Sequence, residues 1–224
     1  MTSSRSRTRV AMFCLVAGPL AVFAQYVVTP VPGGDATVAE TLEAVASHRT
    51  AMQWALALDV PLILLIPALL FAGLMAGAAT SRLAAIATWL VVLPSIGATV
   101  LLAQDALLYV AALQPDRAAA VGLVQAFVDN AFVASMTFGY LAIHVVAYPL
   151  LALALRRAGV LPAAMAVAFG AWPVIEFVGY ATGVKPLAAI GDFLLFAGLA
   201  LCAARLASWH PARAAHAKTA HAVS

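Results

Sequence analysis

Six stretches of the chain stay apolar for about 20 residues or more, the length an α-helix needs to cross a hydrocarbon core. They cover 10–28, 54–76, 83–113, 133–155, 160–182 and 187–209. Most of the connections are short and rich in polar residues, Gly or Pro, and the longest is an outer loop over 29–53. No internal repeat stands out. The pattern predicts an all-α fold, a polytopic transmembrane bundle of six helices. A single membrane domain over 10–209 follows a basic cytoplasmic N-terminus over 1–9 and precedes a cytoplasmic tail over 210–224, which is expected to be disordered.

Two connections carry helix signals of their own. Pro30, Pro32, Gly33 and Gly34 punctuate the start of the long loop as a turn. Thr37 and Glu40 then have capping-box spacing, and Val38, Leu42, Val45 and Ala46 follow at helical intervals. A short amphipathic helix lying on the outer membrane surface is expected here, an ordinary structured loop being the other reading. A second stretch, Asp116 to Asp129, is expected to lead straight into the fourth span.

Composition supports lipid as the solvent. The chain is 65% hydrophobic and 9% charged, with a mean hydropathy of +1.02. A soluble domain carries about 25% charged residues, and one globular core cannot hide such an apolar excess. The formal charge of +3 does not suggest nucleic acid, because Lys and Arg are scattered at segment ends. With the N-terminus inside, Arg5, Arg7, Arg9, Arg82, Arg156, Arg157, Arg205, Arg213 and Lys218 fall on the inner side. Only Arg49, Arg117 and Lys185 fall outside, and so do the acids Asp35, Glu40, Glu43 and Asp116. This bias predicts a multi-pass protein of the cell membrane with both termini cytoplasmic. A rival reading makes the first segment a signal peptide cleaved after Val22-Phe23-Ala24, leaving five helices. The apolar run continues past Gln25, which favours a retained span.

Charge inside the spans is rare and therefore informative. Counting 1.5 Å per residue puts Glu176 about 9 Å below the outer surface, with Asp59, Asp105 and Asp192 at about 8–11 Å. Asp129 sits at the interface. An ionised Asp at mid-membrane costs ~2.5–3.5 kcal/mol on insertion scales, and no Lys or Arg shares this depth within a span. Such acids are expected to be protonated, hydrogen-bonded or holding a cation. Asp59, Asp129 and Asp192 lie near helix N-termini, where capping and the helix dipole favour an acid anyway. Asp105 and Glu176 lie near C-terminal ends, where the dipole opposes one, so they are the catalytic candidates.

Aromatic residues accompany these acids. Tyr109 follows Asp105 by four residues, and Glu176 lies between Trp172 and Tyr180 at the same spacing, so each set shares a helix face. Aromatic walls keep a carboxyl available as a neutral donor, or stabilise a cation by their π faces. Interfacial anchoring is the other reading of Tyr109 and Tyr180. In the fourth span Asn130, Thr137, Tyr140, His144 and Tyr148 share one face. His144 suits a proton relay, or a neutral ring bonded to a Tyr or backbone carbonyl of a neighbouring helix. Asp59, Tyr109, Tyr140, His144, Trp172, Tyr180 and Asp192 are the expected ligand-binding set.

Other chemistry is not indicated. His144 is alone within the spans, so no multi-histidine metal or haem site is expected. His210, His216 and His221 are irregularly spaced in the tail without acidic neighbours. Cys14 and Cys202 read as buried thiols in separate segments. Nucleotide-loop, HExxH, GxSxG and CxxC signatures do not occur, and no cofactor is expected. Gly73 with Gly77, and Gly179 with Gly183, have the GxxxG spacing of close helix approach. Pro19, Pro61, Pro67, Pro94, Pro149 and Pro173 each free a carbonyl inside a span.

The run LALALRRAGVLPAAMAVAFGAWPVIEFVGYATG, 151–183, resembles a stretch found in a family of uncharacterised bacterial six-helix membrane proteins. There an inner R-x-G-x-L-P turn joins two helices, and Arg157, Gly159, Leu161 and Pro162 match it here. The resemblance covers mainly one helical hairpin. It implies the six-helix architecture and brings no activity. In size, topology and acids beside aromatics the chain is also similar to small membrane-bound terpene cyclases. That resemblance implies an acid that protonates an alkene or epoxide, with Glu176, Asp105, Trp172 and Tyr180 as the residues concerned.

The leading expectation is an integral membrane protein that binds a small or lipophilic ligand in an acid-lined cavity of the outer half. Alternatives are an acid-initiated terpene cyclase with Glu176 as general acid, a proton- or cation-coupled transporter, and a structural membrane subunit. The lipid bilayer is the expected partner, with a lipophilic small molecule beside it. The pattern carries no signal of oligomeric state.

Overall fold

The computed structural model describes residues 3–77 and 79–208. Among them are nine helices: α1 (Ser3–Val28), α2 (Val38–Ser47), α3 (Arg49–Leu62), α4 (Leu65–Gly77), α5 (Ser81–Ala112), α6 (Arg117–Val128), α7 (Ala131–Arg157), α8 (Ala163–Ala181) and α9 (Lys185–Ser208). Six units are long and apolar enough to cross a membrane, with α3 and α4 together making one of them. The chain is thus the all-α bundle expected from hydropathy. Trp209 and the tail 210–224, with its three histidines, lie outside the described residues.

Successive spans alternate in direction, so α2, α6 and the α8–α9 turn lie at one end of the bundle. The α7–α8 turn lies at the other. The loop after α1 packs on the α8–α9 turn, where the Gly34 amide donates to the Tyr180 carbonyl at 2.7 Å. Gly34 takes φ 75° there, a left-handed conformation that glycine adopts without strain.

The second span begins at Arg49 instead of Trp54. Residues 49–53 are too polar for a hydropathy window, yet the helix extends through them because Met52 and Ala55 are buried at that end. The span breaks at Ile63 and Leu64. Pro67 cannot donate to the carbonyl four residues back, so the turn tightens instead. The Leu64 amide donates to Pro61 at 3.0 Å and the Ile66 amide to Ile63 at 3.2 Å.

The predicted short helix is α2, and its apolar face packs on protein instead of being left free to meet lipid. Its capping box is closed, with Glu40 N donating to Thr37 Oγ1 at 3.2 Å and Thr37 N to Glu40 Oε2 at 2.7 Å. Its apolar face meets protein: Leu42 and Val45 are buried in one cluster with Met52, Ala55, Leu108, Ala111, Ala120 and Val124. It is a cap over the ends of α3, α5 and α6. The Asp116–Asp129 stretch likewise does not run straight into the fourth span. Asp116 caps α6, and Asn130 opens a new helix by accepting from the Phe132 amide at 3.0 Å.

A second, larger apolar core fills the opposite half. It joins Leu15 of α1, Leu69 and Met75 of α4, Val91 of α5, Tyr148 and Leu151 of α7, Phe169 of α8, and Leu195 and Leu199 of α9. Small residues set its tightness: Gly18 puts α1 against the Leu64–Leu65 backbone, and Gly73 meets the Thr88 side chain. Gly179 packs on the Ala188 backbone, whereas Gly77 meets nothing within 4 Å and Gly183 makes a turn at φ 70°. Two of the four GxxxG glycines therefore serve close approach within the chain. Between the two cores lies a polar layer.

Candidate functional site

That layer encloses a cavity of about 480 Å³, within the roughly 300–1,000 Å³ usual for small-molecule sites. Gln25 and Tyr26 of α1, Asp105 of α5, Tyr140 of α7, Trp172, Glu176 and Tyr180 of α8, and Asp192 of α9 line it. Leu62, Ile63, Leu65 and Ile66, the residues around the helix break, complete its wall. Ser95, Thr99, Gln104 and Thr137 add hydroxyl and amide groups. No Lys, Arg or His is among the lining residues.

Each carboxyl is positioned differently. Asp105 accepts a hydrogen bond from Gln25 Nε2 at 2.9 Å, which ties α5 to α1. Glu176 is set by the α8–α9 contact: a Cβ built on Gly191 would stand 2.8 Å from the Glu176 amide nitrogen and 3.0 Å from its Cβ. Asp192 follows Gly191 directly, so this close approach brings the Glu176 and Asp192 segments together. Asp192 is 0% exposed, and neither of its carboxyl oxygens has a hydrogen-bond partner in the protein. The indole Nε1 of Trp172, also buried, has none either. Buried polar atoms normally find partners, so Asp192 and Trp172 are the candidates among the lining residues to meet a bound group.

Of the nine catalytic and ligand-binding candidates, three are not in the cavity wall. Asp59 is buried on α3 with Oδ1 unpartnered. Tyr109 lies one turn beyond Asp105, where its hydroxyl accepts from Gln53 Nε2 at 2.7 Å and joins α5 to α3. His144 lies beneath the cavity, its Nδ1 2.6 Å from the Tyr140 carbonyl of its own helix, not of a neighbouring one. Its ring lies tilted between those of Tyr140 and Tyr148, with centroids at 4.0 and 5.2 Å. Below Tyr148 come Phe169, Leu151, Leu195 and Leu199, all fully buried, so the polar stripe of α7 ends in an apolar floor. Asp129 is exposed and holds the Gln125 amide at 3.1 Å.

Gln25 and Tyr26 had no place in the sequence-based site. The available signal was an amide near the end of an otherwise apolar span, a polar group at membrane depth. Lys185 stands at the head of α9 and donates its ammonium to the Thr29 carbonyl, so its charge is engaged on the backbone.

The cavity reaches the side of the bundle. Phe138 of α7 and Phe177 of α8 line it, yet they are 70% and 47% exposed. α7 and α8 are held together at their far end, where Gly170 admits Pro149 and Tyr148 meets Phe169 and Trp172. Toward the α2 end, α8 is drawn to α9 through Gly179 and Gly191, which leaves the mouth between α7 and α8. The arrangement combines an apolar, laterally open volume with carboxyl, phenol and indole groups on one side. No family model, curated protein or solved structure matches the chain.

Proposed function

We propose that this protein binds a small lipophilic ligand in the cavity between its two apolar cores. One observation carries the reading: a volume of about 480 Å³ that is open to the bundle side at Phe138 and Phe177 gathers Asp105, Glu176 and Asp192 without any basic side chain. Its mouth faces acyl chains, so a ligand dissolved in the membrane reaches it without crossing water. On the positive-inside argument both termini are cytoplasmic and the cavity lies in the outer leaflet of the cell membrane.

The test uses native membranes. Protein purified in a mild detergent is extracted and its co-purifying lipophiles are identified by mass spectrometry. Ala98→Phe and Ala134→Phe fill the cavity from α5 and α7. A lipophile enriched with the wild type and lost from both variants is the expected result. Identical extracts from all three proteins would remove the proposal.

A second reading makes the same site an acid-initiated cyclase of isoprenoid chains. It draws on Glu176 and Asp105 sharing the cavity with the rings of Tyr26, Tyr140 and Trp172. A carboxylic acid there would protonate the alkene or epoxide, and the rings would face the developing cation. Unchanged product formation by a well-expressed Glu176→Ala variant would sink this reading.

A further inference from the structure

The chemistry of the cavity narrows its ligand class, an inference that rests on the lipophile-binding reading above. We infer that the ligand is a lipophilic monoammonium ion. Its head lies between Asp192 and Glu176, and its tail points to the mouth between α7 and α8.

The argument begins at Asp192. Its carboxyl is completely buried, lines the cavity and has both oxygens unpartnered. Glu176 is brought to it by the Gly191 contact. Asp105 stands in the same cavity with one amide donor from Gln25. Ionised carboxylates are acceptors only, and the cavity wall supplies no cation to meet them. An anionic ligand adds repulsion. A neutral alkyl chain leaves the oxygens of Asp192 unmet.

An ammonium group supplies both the charge and up to three N–H donors. Tyr26, Tyr140 and Trp172 line the same space, and aromatic rings attract a desolvated cation through their π faces. A bare metal ion fits less well. Among the described residues no three of His, Cys, Asp and Glu are grouped as ligands, and hard cations take about six to eight oxygens. The apolar walls and the exposed Phe138 and Phe177 at the mouth suit the alkyl part.

The experiment measures binding of radiolabelled dodecylamine to full-length protein in nanodiscs by scintillation proximity, with empty nanodiscs as the partition blank. Unlabelled dodecanol and dodecanoate compete. Saturable dodecylamine binding is expected, with both competitors at least about tenfold weaker. Asp192→Asn and Glu176→Gln are expected to weaken the amine roughly tenfold to hundredfold, as for loss of a charge-assisted hydrogen bond, and to leave dodecanol competition unchanged. Ala134→Phe is expected to abolish binding.

Dodecanol competing as well as the amine, with both variants silent, would overturn the ammonium inference and leave the lipophile reading standing. No saturable binding of any of the three chains, with wild type equal to Ala134→Phe, would remove both. Should Asp192→Asn aggregate on size exclusion, Glu176→Gln and the head-group ranking on wild type still decide.

Discussion

Gly191 shows how much a single position contributes to the site. A side chain there would run into the Glu176 backbone, not into a flexible side-chain tip, so α8 and α9 would have to separate. Gly191→Ala is expected to destabilise the protein by about 1–3 kcal/mol, the usual cost of overpacking. It should also weaken ligand retention, because the Glu176 and Asp192 segments part. Gly77→Ala is the control, since nothing lies within 4 Å of a Cβ there. Gly77 ends α4, so Ala there is expected to change stability by no more than about 0.5 kcal/mol. Chemical unfolding in detergent, followed by tryptophan fluorescence, compares the two; equal effects would refute the assignment. Spacing along the chain singled out Gly77 and passed over Gly191, because GxxxG says which glycines share a face and not what that face meets. The same limit applies to the acids. Their depth was legible, since the rise per residue is fixed. Their azimuth was not, which is why Asp105, Glu176 and Asp192 line one cavity while Asp59 does not.

At the scale of elements, α2 combines a legible start with an illegible destination. Thr37 and Glu40 announced its N-terminus by spacing alone, and the capping box is closed. The partner of its apolar face was hidden, because lipid and the ends of α3, α5 and α6 attract the same side chains. The box gives α2 a pH dependence. The Thr37 backbone amide, and then its hydroxyl, hold the Glu40 carboxyl below the usual glutamate range. A carboxyl depressed in the folded state contributes stability above its unfolded value and loses it as pH falls through the folded one. The protection factors of the α2 amides, which divide out intrinsic exchange, are therefore expected to be high at neutral pH and to fall in acid below the ordinary glutamate range. Glu40→Gln should flatten that profile, while Thr37→Ala should raise exchange at every pH by about 1 kcal/mol of lost capping. An α2 whose protection ignores both pH and Glu40→Gln would contradict this account. The α3–α4 break was only half visible. Pro61 and Pro67 marked the region, but not that Leu62, Ile63 and Leu65 would turn there into the cavity wall.

At the scale of the molecule, the proposed outer-leaflet position of the mouth rests on charge placement. Arg5, Arg7 and Arg9, Arg82 at the start of α5, and Arg156 and Arg157 at the end of α7 crowd the end opposite α2, against Arg49, Arg117 and Lys185 at the α2 end. On the positive-inside bias, α2, α6 and the mouth are proposed to lie outside. Cysteine labelling checks this cleanly, because native Cys14 and Cys202 are both buried in the bundle. Ser47 at the end of α2 and Ser81 at the start of α5 are exposed at opposite ends. On intact cells an impermeant maleimide is expected to label Ser47→Cys at once and Ser81→Cys only after the membrane is opened. The reverse pattern would place the mouth in the inner leaflet. The same cells report on α1, which carries Leu15 into the main core and Gln25 and Tyr26 into the cavity wall. A bundle cleaved after Ala24 would lose the Gly18 contact with α4 and free one side of the cavity. An N-terminal epitope tag is therefore expected to stay with the full-length protein, reachable only after permeabilisation. With α1 retained and the α2 end outside, a ligand would come from the outer leaflet, between α7 and α8, and meet the carboxyls before it met water.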